Sequence, residues 1–223
     1  MIKLVAFDWN GTLYDDVKIV VKADNFALKK LKQEPISISQ FKNAFEIPIK
    51  KYWLNIGVSP KFLGKHIETL EKGFMEYYEK YENSATLKKG SVSCLKWLKL
   101  HKVNCIIYSN HITPHIQRQL KRLGITKFFR KVLARELGDI AHLHERGKGQ
   151  KLYDYVKQKK YKPHEVVSIG DSAEEIETGK KHGFYTVGML GGYNSTARLK
   201  KHHPDFLINN MLELTKIIKK LNK

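Results

Sequence analysis

Five residues could do chemistry together if folding gathers them: Asp8, Ser109, Lys148, Asp171 and Glu175. Asp8 ends the apolar run Leu4-Val5-Ala6-Phe7 and is followed by Trp9-Asn10-Gly11-Thr12. Such a run reads as a buried strand, and Gly11 with Thr12 lets the chain turn just past it. Asp8 then lies outside the strand's carboxyl edge, where open α/β sheets bind ligands, as a candidate reactive carboxylate. Asn-Gly is also a common turn pair, and an aspartate there can simply cap a helix. The odds therefore depend on residues further along.

Those residues sit at the ends of later apolar runs. Val103 to Tyr108 reads as a second buried strand, ending in Ser109-Asn110-His111. A hydroxyl at that place can hydrogen-bond a phosphoryl oxygen or cap the helix Thr113 to Leu123. Glu165 to Gly170 reads as a third, ending at Asp171, and a helix starting there carries Glu175 on the same face one turn on. Two acids at that spacing beside Asp8 suit a hard divalent cation, magnesium in particular. The helix dipole accounts for Glu174 and Glu175 but not for an acid at the strand tip.

The elements that must position these residues alternate as strand and helix, except in one stretch. Val17 to Leu31 has a helical period, with Asp15 and Asp16 suited to its first turn. Ser39 to Phe45, Ile49 to Ile56 and Lys61 to Tyr81 are three more helices, rich in aromatic residues that read mostly as their shared core. A strandless stretch between two strands of an α/β pattern reads as an inserted helical bundle. The expected fold is α/β, a Rossmann-like core with a mainly parallel sheet at 1–14 and 88–223, plus a helical cap at 15–87. Arg130 to Ala134, Tyr185 to Leu190 and His203 to Ile208 are further strand candidates. Arg135 to Gly149 reads as a mobile surface loop: His142 and His144 lack a third ligand at metal spacing. Lys148 closes that loop ahead of a helix from Leu152 to Lys159.

Composition narrows the setting. The net charge of +19 invites a polyanion partner. Only six residues are arginine, however, and the lysines are scattered from Lys3 to Lys223. That pattern favours a solvated surface over nucleic-acid recognition, which uses arginine forks. Cys94 and Cys105 sit in apolar surroundings as reduced core residues. Met1 leads directly into the first strand, and no apolar run approaches membrane-spanning length. A cytoplasmic protein with no membrane partner is expected.

Asp8-Trp9-Asn10-Gly11-Thr12, Ser109-Asn110, Lys148 and Gly170-Asp171 with Glu175, in this order, resemble the four motifs of the haloacid dehalogenase-like hydrolase superfamily. Gly191-Gly192-Tyr193-Asn194 and Pro204-Asp205 are similar to its phosphoglycolate-phosphatase-like branch. The resemblance implies a magnesium-dependent phosphatase acting on a small phosphorylated metabolite through an aspartyl-phosphate. Asp8 would attack phosphorus. Gly11, Thr12, Ser109, Asn110 and Lys148 would bind the phosphoryl group, with Lys151 as the alternative lysine. Asp8, the carbonyl of Asn10, Asp171 and Glu175 would hold the metal, Glu175 standing where the family more often has aspartate. The departure is Asn10, where the family's phosphatases carry an aspartate that moves a proton. Losing a general acid and base typically slows a reaction about 10²–10⁴-fold. A slow phosphatase, one relying on good leaving groups or on a neighbour such as His111, and a phospholigand-binding protein with no turnover all follow. A nucleic-acid end phosphatase is suggested by charge alone.

Overall fold

The run that ends at Asp8 is strand β1 (Leu4–Phe7), buried at every position. In the computed structural model, which describes residues 1–223, the chain then passes through β2 (Tyr14–Asp15) into four helices. These are α1 (Val17–Lys30), α2 (Ile38–Ala44), α3 (Ile49–Asn55) and α4 (Pro60–Tyr81). It returns through β3 (Thr86–Leu87), α5 (Ser91–Leu100), β4 (Asn104–Ile112), α6 (Thr113–Arg122) and β5 (Lys131–Arg135). The remainder is α7 (Lys148–Gln158), β6 (Val166–Gly170), α8 (Ala173–His182), β7 (Tyr185–Met189), α9 (Thr196–Lys201), β8 (Phe206–Ile208) and α10 (Leu212–Leu221).

Six strands form one parallel sheet in the order β5-β4-β1-β6-β7-β8. Strand order reverses around β1, since β4 lies on one side and β6 on the other. A crevice opens at the carboxyl ends of strands where connections diverge in this way. Phe7 is level with Ile107 and with Ile169, so Asp8, Ser109 and Asp171 emerge together at that end. Val5, Phe7, Cys105 and Val167 pack on one face with Leu95 and Leu98 of α5 and Leu214 and Ile218 of α10. Leu4, Ala6 and Ile106 pack on the other with Leu152 and Val156 of α7. Both faces are covered, which is why the strands read as continuous apolar runs.

The four helices build a second core from Val20, Ala27, Phe41, Tyr52, Trp53, Leu63, Leu70 and Tyr78, joined by Leu143 and Tyr193 from beyond the insertion. Local signals start them. Ser37 and Gln40 make a reciprocal capping box on α2, and Ser59 caps α4 with Pro60 in its first turn. β2 and β3 pair antiparallel, Tyr14 with Leu87 and Asp15 with Thr86, so the chain leaves and rejoins the sheet through one ribbon.

Three expectations need correction. β4 does not end at Tyr108 but continues to Ile112, with its pairing to β5 out of register between those residues. That irregularity, not a strand end, turns Ser109 toward the crevice. α7 begins at Lys148, four residues earlier than the apolar pattern suggested, so Lys148 stands in a first helical turn. Nor is 135–149 all surface loop: His142 and Leu143 are buried, His142 placing Nε2 3.2 Å from Glu71 of α4, while His144 stays exposed.

Candidate active site

Asp8 is buried and engaged at both oxygens. Lys148 Nζ donates to Oδ1 at 2.8 Å and Thr12 Oγ1 contacts Oδ2 at 3.2 Å. Thr12 Oγ1 also donates to Asp171 Oδ1 at 2.6 Å, tying the tips of β1 and β6 together. Lys148 Nζ further meets Glu175 Oε1, and Glu174 Oε2 lies 3.8 Å away. Asn110 Nδ2 donates to Glu174 Oε2 at 2.7 Å. Ser109 Oγ accepts the His111 amide at 3.1 Å, leaving its hydroxyl proton free to donate. Lys151 turns away, donating to the Ala134 carbonyl at 3.0 Å.

The charge balance is uneven. Burial pushes the Asp8 carboxyl well above its usual pKa, against the opposing pull of Lys148. Burial likewise raises Asp171 to about 6, with Glu175 adding to the effect. Burial alone would depress Lys148, but Asp8 and Glu175 hold its pKa well above the usual value. Three carboxyls thus share one cation, Asp171 lies beside them with neutral donors only, and Glu174 Oε1 is buried without a hydrogen-bond partner. An oxygen-only donor set with surplus negative charge fits a hard divalent cation.

Asn10 is fixed from behind. Its Nδ2 donates to Asp16 Oδ2 at 2.7 Å and to the Tyr78 hydroxyl at 2.9 Å. Asp16 also accepts from Tyr78 at 2.7 Å, from Tyr193 at 3.1 Å and from the Gly11 amide at 3.1 Å. Its side chain makes no cap bond to α1, so the cap role expected for it is replaced by this buried knot. Glycine is required on both sides of Asp171. A Cβ on Gly11, whose φ is +75°, or on Gly192 would overlap the Asp171 carboxylate. The Tyr193 amide donates to Asp171 Oδ2 at 2.5 Å, while its ring meets Phe45 and Phe41 at 4.8 and 5.3 Å. Asp16, Glu174 and Tyr193 are the site residues that sequence reasoning did not find. The Gly-Gly-Tyr-Asn run was the one signal for Tyr193.

A cavity of about 120 Å³ separates these strand tips from the helices, with Asp8, Asn10, Ser109, Lys148 and Asp171 on one wall. Six aromatic residues of the insertion line it, although the insertion's aromatics read mostly as its own core. A latch holds the helices in place. Glu82, just past α4, accepts from His115 at 3.0 Å, Gln119 at 2.8 Å and Arg118 at 3.2 Å, all on α6. His111 directs Nε2 toward the same carboxylate at 3.9 Å. Glu82→Ala leaves these donors without their acceptor and is expected to lower stability by about 2–3 kcal/mol, read as a reduced urea midpoint with normal secondary structure.

A model of the family described as haloacid dehalogenase-like hydrolase matches residues 5–189. The chain is 25% identical to a phosphoglycolate phosphatase of Mannheimia succiniciproducens, covering 97% of this chain and 98% of that protein. It is 24% identical to one of Haemophilus influenzae over the same shares. A haloacid dehalogenase-like hydrolase structure from Streptococcus pneumoniae superposes with a TM-score of 0.81 at 18% identity, covering 97% and 98% of the two chains. That likeness speaks for the fold. No helix is long and apolar enough to cross a membrane.

Proposed function

Because this chain belongs to the haloacid dehalogenase-like hydrolases, we propose that it is a magnesium-dependent phosphomonoesterase of a small metabolite, with Asp8 as nucleophile. The observation that carries this reading is the contact of Asp8 with both Lys148 and the Thr12–Asp171 pair inside a cavity that the helices close. Asp8 attacks phosphorus as the ester P–O bond breaks, and water then cleaves the aspartyl-phosphate to free enzyme and phosphate. Lys148 and the Ser109 hydroxyl bind the phosphoryl oxygens and offset the charge that builds on them. Asp8, the Asn10 carbonyl, Asp171 and Glu175 would hold the metal, which supplies further charge neutralisation at the phosphoryl group. The helices over the cavity exclude bulk water and favour a small substrate over a nucleic-acid end.

Leaving-group protonation is the weak step. Asn10 has no titratable proton, and its amide is held by Asp16 and Tyr78. His111, the neighbour considered for the task, lines the same cavity with Nε2 3.9 Å from Glu82, and burial holds its pKa below the usual value, which makes it a poor carrier of the proton. Turnover is therefore expected to favour esters whose leaving group needs no proton. The test is phosphate release from p-nitrophenyl phosphate and alkyl phosphates, with magnesium or with EDTA. Activity that survives EDTA, or alkyl esters cleaved as fast as the aryl ester, counts against this assignment.

Asn10→Asp gives a second expectation. The new carboxyl would lie against Asp16 at the present 2.7 Å amide contact, and two carboxyls that close share a proton. A shared proton keeps the acid form available near neutral pH. Alkyl phosphate hydrolysis should rise by about 10–100-fold, with a smaller gain for p-nitrophenyl phosphate. No turnover in either form favours the second reading, a phospholigand-binding protein with little turnover, for which Asn10 is the motivating residue.

A further inference from the structure

Among the buried acids, Asp24 on α1 stands apart. It is 3% exposed and lines the cavity together with Val20, one helical turn earlier. Its single hydrogen-bond donor is the Tyr52 hydroxyl, at 2.6 Å. Asp8 has Lys148, Glu82 has Arg118, and Glu71 has His142, whereas Asp16 is satisfied by several neutral donors. Asp24 has neither a cation nor a full set of donors, and the charged group beside it, Glu71, has the same sign. The surroundings are aromatic. Phe41, Phe45, Tyr52, Trp53, Phe74 and Tyr78 line the same cavity. Tyr52 lies 4.9 Å from Trp53 and 5.6 Å from both Phe41 and Phe45, centre to centre.

We propose that this end of the cavity receives a positively charged nitrogen, so that the preferred ligand is a phosphomonoester of an amino alcohol. Its phosphate would lie at Asp8 and Lys148 and its ammonium at Asp24 within the aromatic wall. The phosphate end rests on the phosphatase reading above; the ammonium end rests on Asp24 and its rings. Aromatic faces attract cations through their quadrupole, most strongly when water is excluded, and quaternary ammonium groups are recognised in this way. Burial pushes the Asp24 carboxyl up to about 8, a penalty on its charge that a ligand cation relieves. A carboxylate-bearing ligand such as phosphoglycolate would meet Asp24 and Glu71 instead. Arg135 also lines the cavity, but its guanidinium already donates to the carbonyls of Asn110 and Asp139.

The test uses the full chain carrying Asp8→Asn, so that esters bind without being consumed, in magnesium buffer. Calorimetry compares choline phosphate with its uncharged isostere 3,3-dimethylbutyl phosphate, with phosphoglycolate and with glucose 6-phosphate. Choline phosphate should bind at least about tenfold more tightly than each of the others. Adding Asp24→Asn should bring it level with the isostere. Equal binding of the isostere, tighter binding of phosphoglycolate or glucose 6-phosphate, no binding of choline phosphate, or a preference that survives Asp24→Asn overturns the proposal. The four-ligand comparison decides the matter without the Asp24 variant if that variant does not fold. Wild-type phosphate release from p-nitrophenyl phosphate is measured in parallel. Its absence counts against the phosphatase reading while leaving the ammonium preference to be judged by binding.

Discussion

Asp8→Asn is expected to reduce phosphate release by roughly 10⁴-fold or more, since removing a covalent nucleophile leaves only the binding and electrostatic parts of catalysis. The fold should survive. Asparagine has the same shape, Thr12 still bridges to Asp171 at 2.6 Å, and Lys148 keeps Glu175 as a partner. Burial raises the Asp8 pKa in the folded state, so the carboxyl weakens the fold as pH rises through that value. A neutral amide removes that penalty while weakening the Lys148 contact, and the two changes oppose each other. Thermal midpoints should accordingly lie close together at neutral pH while rates diverge. A variant that retains a tenth or more of wild-type turnover would show that another group attacks phosphorus.

The line between what could and could not be read from the sequence follows the range of the interaction. Asp8 and Asp171 were legible because each ends an apolar strand, and the α/β rhythm brings such ends to one side. Helices α2 and α4 were legible from their helical pattern between two strands of the α/β rhythm, whereas the Ser37 and Ser59 caps that start them went unread. Asp16 was not. Its partners Tyr78 and Tyr193 are 62 and 177 residues away, and helical period says which face is apolar but not what that face closes over. Lys148 was preferred to Lys151 and does reach Asp8, but local pattern could not exclude the alternative. The two lie three residues apart, and only the actual start of α7 decides which first-turn side chain reaches the strand tips. His142 was read as surface because metal spacing was the criterion; its burial comes from Glu71, on a helix far away in sequence. Asp24 looked like any polar residue on a helix, and only closure of the helices over the sheet leaves it inside without a cation.

Lys148→Met is expected to remove both activity and stability. Lys148 is 5% exposed and is the one cation in contact with Asp8, Glu174 and Glu175. Methionine keeps most of the side-chain length, so the loss is of charge and hydrogen bonds rather than of volume. Breaking a buried ion pair by removing one partner typically destabilises by about 3–5 kcal/mol. Removing a charge that stabilises the transferring phosphoryl group slows turnover by about 10²–10³-fold or more. The acids left behind must either stay charged without a partner or take up protons. Since burial already holds Asp8 and Asp171 above the ordinary carboxyl range, and Lys148 pulls both down, its loss raises them further. Raised folded-state values mean that stability present at low pH is lost as pH rises through them. The gap in thermal midpoint between wild type and variant should therefore be small near pH 4 and large at pH 8. Magnesium should narrow it at pH 8, because a divalent cation supplies charge to the same carboxylates. Lys148→Arg should recover stability better than turnover, because a planar guanidinium keeps the charge but not the compact ammonium geometry between Asp8 and Glu175. A pH-independent gap, or a Lys148→Met enzyme with turnover within threefold of wild type, would remove Lys148 from the centre of this site.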